Sequence, residues 1–497
     1  MMDREKKLKY NTISALINQT ITIISGFVLP RFFLQYYGST IYGLTSSITQ
    51  FLSVVTLMEL GIGAVVQSAL YEPLAKKDNR GISEIVISAE QFFGKIAIAF
   101  LIYTVALIFV YPNFIQDVGG WFFDASLIAI IAISSLAEYF FGMTYKLLLL
   151  ADQKAFITLS AQSIAVVLNF IICIILMKLD ASIHIVKLST VLVMLLRPII
   201  QSFYVHKNYH LDKKIKLENE PIKQKWNGVA QHIAYYVTNN TDTIVLSLFS
   251  TLENVSVYAV YNMIANGIRQ LILTLNTGIQ AMFGNMLVNH EYDELYKRFR
   301  KFEWLMHTIA VFMFSCVGAL IVPFVSVYTE GITDAEYYQP VFAILLTVAQ
   351  GVYCIRIPYN TMVLAAGHYK QTQMSAIIEM LLNIFISVVL VFNFGLVGVA
   401  LGTLVALSYR TIYLAWYLAH NILEYELSHF CRCVVIDFLT VLIIGTLTYP
   451  LKLGDLSYVS WIVLACKSIG IIFAVVMIIN FVFNPKYMFE ILRGKIR

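Results

Sequence analysis

Apolar residues dominate this chain in runs of helix length, separated by short polar connections. That alternation predicts helices crossing a bilayer, because a span needs about 20 mostly apolar residues. Fourteen segments meet the requirement: 9–36, 41–71, 90–111, 121–148, 155–177, 183–205, 227–250, 255–288, 302–328, 339–365, 372–393, 395–420, 431–452 and 459–484. Several exceed the minimum and must tilt or protrude. Lys and Arg gather in alternate connections, around Arg4–Lys9, Lys76–Arg80, His206–Trp226, Lys297–Lys301 and Lys486–Arg497. The positive-inside rule then sets both termini on the cytoplasmic side. No outside connection is long enough for a folded domain, which argues against a membrane glycosyltransferase or polymerase that needs an external platform.

The pattern repeats. Thr190–Asn208 reads TVLVMLLRPIIQSFYVHKN and Thr403–Asn421 reads TLVALSYRTIYLAWYLAHN, aligning Thr190 with Thr403, Arg197 with Arg410, Tyr204 with Tyr417 and Asn208 with Asn421. Asn11 pairs with Asn227, ELGIGA at Glu59–Ala64 with NTGIQA at Asn276–Ala281, LLLLADQK ending at Lys154 with MVLAAGHYK ending at Lys370, and Leu168-Asn169 with Leu382-Asn383. Six spans per copy give both copies the same orientation, which implies halves related by an axis along the membrane normal. The expected organisation is an N-terminal lobe at 1–205 (spans 1–6), a basic cytoplasmic linker at 206–226, a C-terminal lobe at 227–421 (spans 7–12), and two extra spans with a cytoplasmic tail at 422–497. The linker needs no role beyond that of a solvated tether.

Polar residues inside these spans are the candidate chemistry. Span 1 carries Asn11, Ser14, Asn18, Thr22 and Ser25 at steps of three and four, which places them on one helix face. Such a face serves either helix–helix packing or the lining of a water-filled cavity. Span 7 is polar all round from Tyr235 to Thr243 and includes Asn239, Asn240 and Asp242. Polarity at that depth needs protein or water around it, and its oxygens also suit a hard cation. Arg31, Arg197, Arg269, Arg356, Arg410 and Glu59 are the charges within spans that call for explanation, since an intramembrane ion is costly and turns towards a cavity or a partner. Arg31, Arg197 and Arg356 adjoin Pro30, Pro198 and Pro358, and proline opens a helix by removing a backbone bond. These arginines admit two readings: internal ion pairs, such as Asp242 with Arg269, or a basic cavity for phosphate, which the planar guanidinium grips with two bonds. Lys95, Arg197, Glu379 and Asp437, near inner ends, are expected to snorkel.

Composition narrows the class. The chain has 497 residues, 59% hydrophobic and 13% charged, with a net charge of +5 and a mean hydropathy of +0.74. A soluble protein has about 25% charged residues, so this is an all-α integral membrane protein. The basic opening MMDREKKLKY leads straight into an apolar span without a small-residue cleavage site, so no signal peptide is expected. The six cysteines lie in or beside apolar runs and read as packing residues; the C-x-C at Cys431 and Cys433 is too little for a metal site. No G-x-x-x-x-G-K phosphate loop, catalytic triad spacing or nucleic-acid motif is present. No cofactor is expected; any driving force would come from a gradient, with H+ or Na+ as coupling ion.

Three stretches carry a resemblance: YGLTSSITQFLSVVTLMELGIGAVVQSALYEPLAKKD at Tyr42–Asp78, YNMIANGIRQLILTLNTGIQAMFGNML at Tyr261–Leu287, and IPYNTMVLAAGHYKQTQ at Ile357–Gln373. With the 6+6+2 layout, the chain resembles the Wzx-type lipid-linked oligosaccharide flippases of the MOP superfamily over nearly its whole length. The resemblance implies two six-helix lobes in a V around a central cavity. It also implies that an undecaprenyl-diphosphate-linked oligosaccharide moves from the inner to the outer leaflet of a bacterial plasma membrane by alternating access. Polysaccharide polymerase machinery would be the neighbouring partner. Family cavities are positively charged on the first helices of each lobe, to which Arg31 and Arg269 correspond. A multidrug/cation antiporter of the same fold is the alternative, and a non-transporting assembly scaffold a weaker one. The antiporter should show deep carboxylates, of which Glu59 and Asp242 are the candidates.

Overall fold

A computed structural model describes residues 4–59, 62–115, 118–212, 215, 229–276, 278–423 and 426–492. Most of the expected linker, Asn227, and Leu60, Gly61 and Thr277 of the repeated hexapeptides lie outside the described residues. Among the described residues every regular element is helical. The helices are α1 (Arg4–Leu52), α2 (Val55–Glu59), α3 (Ile62–Lys76), α4 (Asn79–Val110), α5 (Trp121–Ala137), α6 (Met143–Ala151), α7 (Ala155–Lys178), α8 (Ile183–Met194), α9 (Leu196–Asn208) and α10 (Val229–Phe249). They continue with α11 (Leu252–Leu275), α12 (Ile279–Val288), α13 (Tyr292–Tyr328), α14 (Pro340–Ile355), α15 (Ile357–Ala365), α16 (Tyr369–Asn421), α17 (Leu427–Thr448), α18 (Tyr458–Phe483) and α19 (Pro485–Leu492).

Eleven continuous helical stretches are long and apolar enough to cross a membrane, and the chain is a multi-pass membrane protein. Two of these stretches, Glu5–Leu57 and Tyr369–Asn421, hold 53 residues each. A straight helix of that length would reach about 80 Å, against about 30 Å of hydrocarbon. Each is broken at one glycine, Gly38 (φ 79°, ψ 174°) in α1 and Gly395 (φ 51°, ψ −123°) in α16, conformations that a side chain would strain. Expected spans 11 and 12 therefore fuse in α16, and span 1 runs on past Gly38 into the start of span 2, since a single glycine does the work of a loop.

Hydrogen bonds show how α16 returns on itself. Ser387 Oγ donates to the Val399 carbonyl at 3.4 Å, Asn383 Nδ2 to Thr403 Oγ1 at 2.9 Å, and Arg410 Nη1 to Glu379 Oε2 at 2.6 Å. Each successive pair lies further from the turn on both arms, so the arms are antiparallel. Gly398 and Gly402 permit the approach. A Cβ on Gly398 would lie 2.5 Å from the Leu390 carbonyl oxygen, and one on Gly402 would lie 2.8 Å from the Ser387 nitrogen. This is small-residue packing four positions apart, as membrane helices use it.

The described chain falls into two compact units, Met1–Tyr236 with Thr251–Ser256, and Val237–Ser250 with Val257–Arg497. In the first, α1 packs on α7 beside a core that includes Leu44, Ile48, Phe93, Phe100, Leu127 and Leu148. In the second, α13 packs on α14, α17 and α18, with Val311, Ile444, Ile472 and Val475 in contact. The internal repeat is written in the backbone as well. Residues with positive φ recur as Lys77 and His290, Gly120 and Gly331, Gln153 and Gly367, and Asp180 and Gly395, at separations of 213, 211, 214 and 215. Most of these residues follow a helix end, while Gly120 precedes α5 and Gly395 breaks α16, so the two halves are punctuated at matching places even where their sequences differ.

The hairpin makes a direct prediction. Gly402→Ala forces a methyl into the backbone of the opposite arm, and overpacking of this kind costs about 1–3 kcal/mol. Thermal unfolding of the detergent-purified protein should show the loss, while Gly445→Ala, with open space around its Cβ, should leave the midpoint unchanged or slightly raised.

Candidate functional site

Each unit holds a cluster of charge, buried in the second and part-exposed in the first, and the clusters hold most of the residues expected from the sequence. In the second unit Glu379, 1% exposed, receives two arginines. Arg356 Nη1 donates to its Oε1 at 2.5 Å and Arg410 Nη1 to its Oε2 at 2.6 Å. The local sequence explains the placement. Glu379 and Arg410 occupy opposite arms of the α16 hairpin, while Arg356 stands at the break between α14 and α15. Pro358, just inside α15, cannot supply the backbone bond that would continue α14. A carboxylate with two guanidiniums in an apolar interior satisfies both of its oxygens.

Next to this triad the ring of Tyr353 is shared. The Arg356 guanidinium lies 4.6 Å from its centroid and that of Arg269 lies 4.8 Å away. Arg269, on α11, also donates to Gln350 Oε1 at 3.1 Å. Among the described residues no carboxylate comes within ion-pair distance of Arg269, although it is only 9% exposed. A desolvated guanidinium that makes only hydrogen-bond and cation–π contacts to neutral groups remains a seat for an anion.

Asp242 is the opposite charge nearby. It is 4% exposed on α10 and accepts from Thr403 Oγ1 at 2.7 Å and from Tyr258 at 3.0 Å. Asn383 supports Thr403 from behind at 2.9 Å. The pairing of Asp242 with Arg269 considered from the sequence is not made. Tyr258 holds Asp242 and lies in the field of Arg269. The arrangement is three guanidiniums, Arg269, Arg356 and Arg410, with two carboxylates, Glu379 and Asp242. Glu379 is also not a snorkelling residue: its partners come from the hairpin arm and the α14–α15 break, neither of which is adjacent to it in sequence.

In the first unit Arg197, the repeat partner of Arg410, faces Glu138 at 3.5 Å, and both are part-exposed. Glu138 opens a π-helical turn, Glu138–Gly142, of the sort that recurs at functional sites. Tyr139 of that turn bonds Glu59, and Lys146 and Glu138 lie close enough for Glu59 to feel both charges. Glu59 and Arg197 thus belong to one cluster. The other expected residues are spread out. Asn18 is buried, donating to Ser163 Oγ at 3.1 Å, and Asn11 accepts from the Phe156 backbone at 2.8 Å, so these two members of the span 1 stripe serve the α1–α7 contact. Arg31 on α1 and Asn239 and Asn240 on α10 are half-buried and engaged by neighbours. The side chain of Tyr235 lies outside the described residues.

Two features escaped the sequence. Lys187 on α8 places its ammonium 4.5 Å from the centroid of Phe33. A second polar cluster in the second unit joins Glu303 and His307 on α13, Tyr359 on α15, and His429, Cys433 and Asp437 on α17. Its signal was present as i, i+4 spacing on two apolar helices, Glu303/His307 and His429/Cys433/Asp437, which places each set on one face.

No known family of sequences matches the chain, and no curated protein does. Solved structures do. The lipid II flippase MurJ, in an inward closed conformation, superposes with a TM-score of 0.67 at 13% identity, covering 96% of this chain and 99% of its own. A multidrug resistance MATE family transporter of the MOP superfamily, in its inward-facing conformation, gives 0.55 at 14% identity, with 82% and 96% covered. A Vibrio cholerae MATE transporter, a VcmN mutant, gives 0.59 at 14% identity, with 85% and 97% covered. At these identities the likeness is one of fold alone.

The triad predicts its own test. Glu379→Gln keeps the shape but leaves Arg356 and Arg410 buried without a counter-charge, which costs about 3–5 kcal/mol. Its thermal midpoint should fall well below that of wild type. Replacing all three at once, Arg356→Met, Glu379→Leu and Arg410→Met, should restore most or all of the loss, since an apolar set of similar volume is often as stable as a buried ion cluster.

Proposed function

We propose that this protein is a flippase. It moves an undecaprenyl-diphosphate-linked oligosaccharide repeat unit from the inner to the outer leaflet of a bacterial plasma membrane, for export of a surface polysaccharide assembled by a polymerase. The observation that carries the reading is Arg269, a buried guanidinium whose partners, Gln350 and Tyr353, are neutral. A diphosphate brings the negative charge this group lacks, with oxygens spaced for its fork. The span count supports the same reading. Eleven apolar stretches among the described residues, two of them divided at Gly38 and Gly395, and the polar α10 are compatible with fourteen passages. On this reading they group as six, six and two, with both termini cytoplasmic. The fold shared with a lipid II flippase supports a lipid-linked substrate, whose tail remains in the bilayer while the head group crosses by alternating access. On this reading the substrate contact in the second unit is Arg269, with Asn239 and Asn240 as polar lining, and the charge that the resemblance implies for the first unit is Arg31. Arg356 and Arg410, held by Glu379, support Arg269 through Tyr353.

A second reading has its own observation. Asp242 is a buried carboxylate bonded by the Thr403 and Tyr258 hydroxyls and the Asn383 amide, all neutral groups, which suits a cation, and the fold is equally that of MATE transporters. On this reading the protein is a multidrug/cation antiporter, and H+ or Na+ at Asp242 is the coupling ion.

One reconstitution separates them. Proteoliposomes carry a fluorescent undecaprenyl-diphosphate oligosaccharide in the inner leaflet, and arrival of the head group outside is read with a membrane-impermeant quencher. Wild type should transfer it. Arg269→Ala should lower the rate at least tenfold, the value of losing one charge-assisted contact of about 1.5–3 kcal/mol, with Arg269→Lys intermediate because it keeps charge but not the fork. Expulsion of a cationic dye against a gradient, abolished by Asp242→Asn and with no movement of lipid-linked sugar, would replace the flippase by the antiporter.

A further inference from the structure

The cluster on α13, α15 and α17 is a connected line of hydrogen bonds. Asp437 Oδ2 lies 2.6 Å from His307 Nδ1, His307 Nε2 lies 3.1 Å from the Tyr359 hydroxyl, and that hydroxyl donates to Glu303 Oε1 at 2.6 Å. Glu303 and Tyr359 are fully buried and His307 is 3% exposed, whereas Asp437 at one end and His429 at the other are part-exposed. A cavity of about 40 Å³, lined by His307, Asp437, Arg300, His429 and Cys433 among others, has room for water.

The protons of this line can be counted. Arginine only donates, so Arg300 Nη2, 2.9 Å from His429 Nδ1, makes that nitrogen the acceptor and leaves the His429 proton on Nε2. This Nε2 lies 3.3 Å from Glu303 Oε2. Tyr359 spends its one proton on Glu303, so it must accept from a protonated His307 Nε2. A proton must also lie between His307 Nδ1 and the Asp437 carboxylate. His307 is then an imidazolium paired with Asp437, and Glu303 is a carboxylate. A second arrangement has the same number of protons: the His307 Nε2 proton passes to the Tyr359 oxygen while the Tyr359 proton passes to Glu303 Oε1. The result is a neutral His307 and a protonated Glu303. No atom other than these protons moves, and total charge is unchanged.

We propose that His307, Tyr359 and Glu303, backed by Asp437, form a proton relay, and that this is where the protein binds the proton that it uses as coupling ion. The use as coupling ion rests on the transporter reading; the binding of a proton does not. The other charges facing the relay are accounted for. On α13 Arg300 lies 3.8 Å from Glu303 Oε2, with Tyr296 beyond it. On α17 His429, Cys433 and Arg432 are close, and on α19 Tyr487 senses both Arg300 and Glu303. α18 contributes the neutral Asn480, bonded by Trp304. The relay also has mechanical content. With the proton on His307, α13 is ion-paired to α17 through Asp437. With it on Glu303, that pair is dissolved and the attraction of Glu303 for Arg300 and His429 is removed. Glu303, His429 and Cys433 offer three ligand atoms within 4.8 Å, but the His429 nitrogen facing the others already carries a proton and Arg300 supplies the positive charge, so the set favours protons over a metal ion.

The test uses the full-length protein in lipid nanodiscs, followed by infrared difference spectroscopy as the pH is lowered from about 8 to about 5, the range in which histidine titrates. Wild type should gain the C=O band of a buried protonated carboxyl, and Glu303→Gln should lack it. Tyr359→Phe keeps the ring but cuts the line, and should move that band by at least one pH unit, a tenfold change in proton affinity. A Tyr359→Phe spectrum that titrates as wild type does, or a band indifferent to Glu303→Gln, overturns the relay in favour of a static network; if Glu303→Gln fails to fold, the Tyr359→Phe shift alone decides. The flipping assay is run in parallel with an imposed pH gradient. A relay that titrates as described in a protein that transports nothing would sink the transporter reading and leave the relay. Transport that ignores the gradient would sink the coupling role.

Discussion

The second unit turns on one carboxylate. Glu379 accepts Arg356 and Arg410 at once, and so ties together three pieces of chain: the two arms of the α16 hairpin and the junction of α14 with α15. An apolar surface gives helices in a bilayer little reason to choose one partner or one rotation over another, because lipid is as good a neighbour as leucine. A buried charge removes that indifference. Only the rotation that brings the three groups together avoids an unpaired ion, so the triad specifies the packing whatever its net contribution to stability. Gly395 permits the turn and Gly398 and Gly402 permit the approach, but neither would select the register by itself.

The same pattern of backbone supports different chemistry in the two halves. Left-handed residues recur at nearly constant spacing, and Arg197 and Arg410 recur with them. Their partners do not. Arg410 meets a carboxylate from the preceding arm of its own hairpin, whereas Arg197 meets Glu138 on a π turn of a different span. The hairpin contact also differs in detail. Asn383 reaches Thr403 directly, while in the first unit Asn169 and Thr190 both contact Cys173. Repetition has fixed where helices begin and end, and the polar groups have been reassigned within that frame. A repeat visible in sequence therefore predicts topology well and side-chain roles poorly.

Particular residues show where reading from sequence stops. The apolar runs and the arginine repeat were legible because both depend on local pattern. Gly395 was hidden because a glycine at a span boundary looks like any loop residue, and only its φ shows that no loop is present. Glu379 read as a snorkelling residue because its depth along one span was visible and its two partners, 23 residues before it and 31 after it, were not. Glu303 and His307 went unweighed for the same reason: each looks tolerable at the end of a long helix, and their meaning comes from Tyr359 and Asp437 on helices far away in sequence. Asn11 and Asn18 are the reverse case. Their spacing was read correctly as one face, yet spacing alone could not say whether that face meets water or α7.

Charge accounting then separates ions matched within the chain from ions held by neutral groups. Glu379 is matched by Arg356 and Arg410, the His307–Asp437 pair is neutral as a unit, and Glu303 is answered by Arg300. Of the second unit's charges described above, this leaves Arg269 and Asp242, each buried and each held by neutral groups alone. Leaving an ion buried without a counter-charge costs several kcal/mol, and a single substitution of either residue would relieve it. Such a cost persists where the missing counter-charge arrives from outside the chain. For Arg269 a guest of that kind is an anion, as the flippase reading requires; for Asp242 it is a cation, as the antiporter reading requires.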